Sequence, residues 1–419
     1  MSETLTPPPA APPSQDGYIG ARKNALIRAL LARDAPPRME SVFGLLGAIL
    51  HHDAQAEIDT LKDLYHPIDP DAPDQGVAPP AAFDAFESKF VALLKRANFR
   101  ELDPESVESR KAAKLVTGLN IKTSNAGIRK IRFFARGAKA ATIERRELYG
   151  LRKRRLQADV FRDVIVLAAF KPEQEIAEQG RKAISRIRGG VRPGAALVKH
   201  FRNVARAELL SLHPGAEPAM LRRDQVMLAV PAVAGGVPIL LQIGPAVVVI
   251  FTVIAAWFGM GGVIENSQLR RALTAASGLI ALGAFVMRQW VKYERQTLKY
   301  QKQLADTVYF RCLSNNSAVL DTLIGEAEAQ DCKEAALAYW ALARADQGLT
   351  RAQIDEAAET FLRQHMGLNV DFEIGDALAK IERLGLATRE GELYRAVPID
   401  DALHKLDVYW DGLYQFAKP

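Results

Sequence analysis

From Gln225 to Ile264 the chain carries no charged residue. A bilayer core about 30 Å thick is matched by roughly 20 apolar helical residues, so such a run directs the first reading to a membrane. Residues 245–264 hold ten Val, Ile or Phe side chains, each worth about 0.3–0.6 kcal/mol near a helix centre, and insertion is favoured by roughly 3–6 kcal/mol. A second candidate, 272–287, is sixteen residues long. Arg271 and Arg288 can snorkel and Trp290 can sit at the interface, which extends it to 271–290. The stretch 226–243 is broken by Pro231, Gly235, Gly236 and Pro238 and reads as interfacial or re-entrant backbone. Arg222, Arg223, Arg288, Lys292, Arg295, Lys299 and Lys302 on one side, against Arg270 and Arg271 on the other, favour a two-span hairpin. Both termini are then cytoplasmic, and the expected location is integral to a bacterial inner membrane.

The flanking regions predict the rest of an α+β membrane protein. Residues 1–17 are a Pro-rich tail without an apolar stretch, expected to be disordered. In 18–225, apolar steps of three and four predict helices over 19–31, 39–64 and around Phe83, Phe86, Phe90, Leu93 and Leu94. The runs GIRKIRFFARG (127–137), VFRDVIVLAAF (160–170) and ALVKHF (196–201) predict strands, giving a mixed helix and sheet N-terminal domain. The membrane segment is 226–290. In 291–419, a helix continues to a stop at LSNN (313–316), followed by helices over 318–330, 333–345, 350–365 and 374–384. Two short strands about a turn at 389–392 complete a winged-helix-like end.

Of 419 residues, 48% are hydrophobic and 25% charged, which excludes wholesale disorder and a collagen-like fibre. Cys312 and Cys332 are the only cysteines, too few for a disulfide framework or a structural zinc site. Charge is segregated. Residues 110–155 carry fifteen bases and two acids, 181–206 eight bases and no acid, and 321–419 ten bases and nineteen acids.

The segments YQKQLADTVYFRCLSNNSAVLDTLIGEAEAQDCKEAALAYWAL (300–342), VDFEIGDALAKIERLGL (370–386) and ALHKLDVYWDGL (402–413) resemble the transmembrane protein 143 family, a group defined by a domain of unknown function. ANFREL (97–102) and KHFRNVARAELLSLHPG (199–215) are similar to it as well. The resemblance implies a two-span membrane protein and no established chemistry. The insert GGVRPG (189–194) and the Pro-rich tail have no counterpart in it.

The serine-hydrolase elbow, the phosphate loop and the zinc helix are absent, and no catalytic, cofactor or metal residue is assigned. His51, His52, Asp53 and Glu57 lie close in sequence but do not share one helix face. A polar cluster, Asn315, Asn316, Glu326, Lys333 and Glu334, can form a buried network or hold an ion; helix capping and exposed pairs are the plainer account. The candidate contacts for an anionic surface are Arg129, Lys130, Arg132, Arg136, Arg152, Lys153, Arg154, Arg155, Arg202, Arg206, Arg222 and Arg223. The reading is a membrane-anchored scaffold or regulatory protein whose basic N-terminal face meets anionic lipid or the chain's own acidic C-terminal domain. That domain offers a protein contact and repels nucleic acid. A membrane-proximal enzyme on a lipid-like substrate and a transporter or channel component are the alternatives.

Overall fold

The structure is a computed structural model that describes residues 16–414 except 34, 73–80, 104–119, 126, 148–151, 179–191, 220–225, 227–228, 231–250, 252–253, 256–257 and 259–265. The helical periodicities become α1 (Lys23–Leu31), α2 (Met39–Tyr65) and α3 (Ala82–Arg96). Five strands then form one antiparallel sheet: β1 (Arg100–Glu101), β3 (Ile128–Glu147), β4 (Arg152–Phe170), β5 (Ala196–Ala205) and β7 (Cys312–Asn315), in the order β1-β3-β4-β5-β7. The expected runs 127–137, 160–170 and 196–201 supply its three central strands. β4 is apolar without alternation from Val164 to Phe170 because it is buried on both faces. A short helix, α4 (Glu173–Glu178), follows it.

The remaining elements are β2 (Asn120–Thr123) paired with β6 (Ala216–Ala219), and the 46-residue helix α5 (Asn266–Arg311). They continue with α6 (Ser317–Ala343), β8 (Leu349–Thr350), α7 (Arg351–Met366), α8 (Ile374–Arg383), β9 (Ala387–Glu390), β10 (Leu393–Ala396) and α9 (Ile399–Asp411). Helices α7 and α8 followed by the β9–β10 hairpin match the expected helix-and-wing pattern, and β8 adds a third strand.

The expected stop at LSNN holds: α5 ends at Arg311 and Asn316 stands at the N-cap of α6. Between them β7 takes the edge of β5, with Lys199 opposite Asn315. One expectation for local structure fails for a physical reason. The expected helices 318–330 and 333–345 are one helix, α6. Its buried charges at Asp331, Lys333 and Glu334 look like a break in the sequence, but they are held by partners from other elements.

The contacts divide the chain into two units. One comprises Met1–Lys111, Ser124–Gly215 and Arg311–Pro419; the other comprises Ala112–Thr123 and Ala216–Phe310. In the first unit, α6 and α2 each pass through two apolar cores. The C-terminal half of α6, from Cys332 to Leu342, packs with α1, Met39–Leu50 of α2, α7, α8, the wing and α9. Its N-terminal half, with Val319, Leu320, Leu323, Ile324 and Ala327, packs on Phe134, Ile165, Leu167 and Val198 of the sheet and on α3.

The transmembrane hairpin is corrected. Among the described residues no helix is long and apolar enough to cross a membrane. The expected second span lies within α5, where the stretch between Arg271 and Arg288 rises only about 24 Å at ~1.5 Å per residue, short of the ~30 Å hydrocarbon core. The expected first span, 245–264, and the segment 226–243 fall almost wholly outside the described residues. An integral membrane location therefore has no support from the described helices.

Candidate functional site

Strand register builds the first charged cluster. Arg136 on β3 stands opposite Asp163 on β4, and Asp163 stands opposite Arg202 on β5. One carboxylate is thus placed between two guanidinium groups by the sheet itself. Asp163 Oδ2 accepts from Arg136 Nε at 3.1 Å and Nη2 at 3.0 Å, and Oδ1 accepts from Arg202 Nε at 3.2 Å. His200 Nε2 lies 3.2 Å from the same Oδ1. From α6, Glu326 reaches down to pair with Arg136 and, at 3.3 Å, with Arg202. Arg136 also donates to the Ala97 carbonyl at 2.7 Å. Its guanidinium lies 4.4 Å from the Tyr18 ring centroid and 4.3 Å from that of Phe99, a stacked and fully partnered burial.

Gly137, next to Arg136 on β3, has a φ of +68°; its N–H donates to Asp16 at 2.6 Å, and a Cβ there would come within 2.7 Å of Arg162 Cβ. Burial works against the Asp163 carboxylate, but the hydrogen bond from His200 and the charge of Arg136 outweigh it and hold the carboxyl well below the usual range.

The second cluster sits where α6 passes from one apolar core to the other. Arg96, in the last turn of α3, pairs with Glu57 and donates to Asp331 at 2.6 Å. Lys380 of α8 contacts Asp331 at 2.6 Å and Glu334 at 3.2 Å. Asn98 donates to Glu334 at 3.1 Å and to the Gly17 carbonyl at 2.6 Å. Lys333 turns the other way and donates to the carbonyls of Ile19 at 2.6 Å and Ala21 at 3.2 Å. Burial, then the nearby Arg136 charge, pushes the Lys333 ammonium down to about 7. Burial likewise pushes Glu334 up to about 7, against the pull of Lys380.

The predicted polar cluster is therefore dispersed. Glu326 belongs to the sheet cluster, and Lys333 and Glu334 to the belt between the cores. Asn316, buried with φ +50°, accepts from Tyr65 Oη at 3.2 Å and from Val198 N–H at 3.3 Å, and donates to Asp71 at 2.6 Å. Asn315 is exposed at the sheet edge. Of the predicted basic contacts, Arg129 and Lys130 are exposed, Lys130 and Arg132 pair with Glu87 at 2.7 and 2.9 Å, and Arg206 approaches Asp159 at 3.9 Å. Arg136 is interior. Arg152, Lys153, Arg154 and Arg155 begin β4, with side chains outside the description, and Arg222 and Arg223 lie outside the described residues.

Sequence reasoning missed Asp163 and His200. Their signal was a single acid inside VFRDVIVLAAF and a single imidazole inside ALVKHF, each interrupting a strand-forming apolar run. Together with Glu326 they bring ligand atoms within 4.8 Å of one another, a spacing metal sites use. The chemistry of the surroundings opposes it. Arg136 and Arg202 already occupy both carboxylates, Arg162 lies 3.7 Å from Asp163, and a divalent ion would enter an excess of positive charge. His51, His52, Asp53 and Glu57 diverge to Glu328, Tyr414, Arg383 and Arg96. Two cavities of about 520 and 470 Å³ are lined by no residue of either cluster.

Residues 161–318 match a family described as Protein of unknown function (DUF3754). The chain carries a DUF3754 domain. No curated protein and no solved structure matches the chain, and nothing in these comparisons links it to the transmembrane protein 143 family. The DUF3754 match holds Asp163, His200, Arg202, Asn315 and Asn316, and it ends before Glu326. Asp163, His200 and Arg202 of the first cluster thus lie inside the DUF3754 domain, and Arg136 and Glu326 outside it.

Proposed function

We propose that the chain is a non-enzymatic scaffold or regulatory protein whose basic N-terminal face is the partner of its own acidic C-terminal part. The observation that carries this reading is the charge belt: Arg136 and Arg202 meet Glu326, Arg96 meets Asp331, Lys62 meets Asp321 and Lys23 meets Glu328. Pairs of this kind, buried at Arg136 and Asp331 and half-exposed at Lys62 and Asp321, add little net stability but fix which surfaces meet and in what register. An enzyme needs titratable groups free to exchange protons with a substrate. In the Asp163 cluster both carboxylates are already taken up by guanidinium. The acidic C-terminal part as a protein contact, and not a nucleic-acid reader, is supported by Lys380 and Arg383 of α8 being turned to Asp331, Glu334 and Asp53. The likeness to the transmembrane protein 143 family is kept within this reading and brings no reaction to it.

The test is affinity capture of the full-length chain and its Glu326→Gln variant, read by mass spectrometry, with amide exchange of both. The expected result is faster exchange over 317–330 in the variant and a changed set of captured proteins. Turnover of any substrate that Asp163→Asn abolishes, with global stability otherwise restored, would overturn the reading.

A further inference from the structure

Where α7 packs on the C-terminal half of α6, small residues leave space between large ones. Ala341 and Ala357, with Trp340, Arg344, Thr360 and Phe361, line a cavity of about 470 Å³. The rings of Trp340 and Phe361 meet edge to face at 4.8 Å, His365 continues the aromatic row 5.0 Å from Phe361, and the Arg344 guanidinium lies 4.4 Å over the indole. Trp340 is 4% exposed, and its Nε1–H has no hydrogen-bond partner among the described residues. A buried donor without an acceptor costs about 1–3 kcal/mol. The cavity lacks an acceptor.

Gln353 and Gln364 add further N–H donors to the lining, and Glu356 is the one acid in it. The occupant that fits is uncharged and apolar, and it offers carbonyls without N–H groups of its own. Proline has that chemistry, and proline-rich segments dock in aromatic-lined grooves at low ordering cost. Residues 6–13 of this chain read Thr-Pro-Pro-Pro-Ala-Ala-Pro-Pro. The residue that anchors this sequence lies beside α7: Asp371 N–H donates to the Asp16 carbonyl at 3.3 Å, and Phe372 N–H donates to Glu359 Oε1 at 3.2 Å. Glu359 is near the middle of α7, so both ends of that helix lie within about 12 Å along its axis at ~1.5 Å per residue. Counted back from Asp16, positions 13 and 7 reach up to roughly 9 and 28 Å at ~3.1 Å per residue. The segment is long enough to reach the cavity.

We propose that the α6–α7 cavity is the docking site of the chain's own proline-rich segment 6–13, with the Trp340 indole N–H donating to one of its carbonyls. Docking displaces the exposed Arg344 from the indole, which opens the ring face and the N–H together. Tethering gives the segment an effective concentration of about a millimolar, so a weak contact suffices. No cavity residue belongs to the charge belt, and this contact is separate from the one proposed above.

The test uses the full-length chain with Ala10, or in a separate sample Ala11, replaced by photoreactive benzoylphenylalanine. The dilute protein is irradiated, and cross-links are mapped by mass spectrometry. They should fall on peptides containing 340–344 or 353–365 and join residues of one chain. Trp340→Phe keeps an aromatic ring but removes the N–H, and should lower the yield about fivefold, the effect of one hydrogen bond. Ala357→Lys puts a long side chain into the cavity and should lower it about tenfold or more. Ala352→Lys, at an exposed position of α7 outside the cavity, should leave it within about twofold. Thermal unfolding checks that each variant is folded, and Trp340→Phe carries the test if Ala357→Lys is not. Cross-links spread over other surfaces, or equal yields from Ala352→Lys and Ala357→Lys, would sink the proposal. So would cross-links that join two chains, which would assign the cavity to the segment of a second copy.

Discussion

Neutralising Asp163 leaves Arg136 buried beside Arg202 with only Glu326 to share between them. Asp163→Asn should therefore destabilise the chain by about 3–5 kcal/mol, the cost of breaking a buried charge network from one side, measured as a lower urea midpoint. The folded carboxyl titrates below its unfolded value, so its contribution is complete above roughly pH 4 and is lost as acid carries the pH down through the folded value. Asp163→Asn should accordingly flatten the acid limb of the stability profile. Lys333 and Glu334 act in senses opposite to each other. Between pH 7 and 10.5 the unfolded chain holds a proton that folded Lys333 has released, so stability rises with pH in that window. Between pH 4.5 and 7 folded Glu334 keeps a proton that the unfolded chain has lost, so stability falls as pH rises there. Denaturant titrations from pH 4 to 10 should show Glu334→Gln erasing the fall and Lys333→Met erasing the rise.

At the scale of elements, Gly137→Ala should cost roughly 1–3 kcal/mol, since it sets a side chain in the left-handed region and against Arg162. Helix α6 gives a chemical readout. Cys332 lies within its apolar half, and burial pushes the thiol up to about 12. A maleimide should label it only at the rate of unfolding, which mass-spectrometric peptide mapping can follow. These elements were legible to different depths. The spacing of Phe83, Phe86, Phe90, Leu93 and Leu94 declared α3, and the β-branched run 160–170 declared the core of β4, because periodicity and propensity are local. The charges of α6 misled, since Asp331, Lys333 and Glu334 look solvent-facing until Arg96, Lys380 and the Ile19 carbonyl arrive from elsewhere. Asp163 and His200 were visible only as interruptions of strands, because register, which no local pattern reports, supplies their partners. The apolar run 225–264 suggested a span and drew α5 into it, although α5 is too short between its arginines to cross.

Across the whole molecule, the first unit is assembled from three separated pieces of sequence. Residues 291–419 expressed alone lack α1, α2 and the sheet against which α6 packs. That fragment should show no cooperative thermal transition, whereas the full chain should; differential scanning calorimetry of both decides it. Ile19 is fully buried, and its backbone bonds with Gln330 and Lys333 span more than 300 positions. On a ribosome adding about 5–20 residues per second, Ile19 emerges roughly 15–60 s before the residues that complete its bonding. Ile19 is thus synthesised long before its partners and is among the last residues to be secured. During that interval its apolar side chain is available to a chaperone, and a translation pause ahead of α6 would lengthen the exposure.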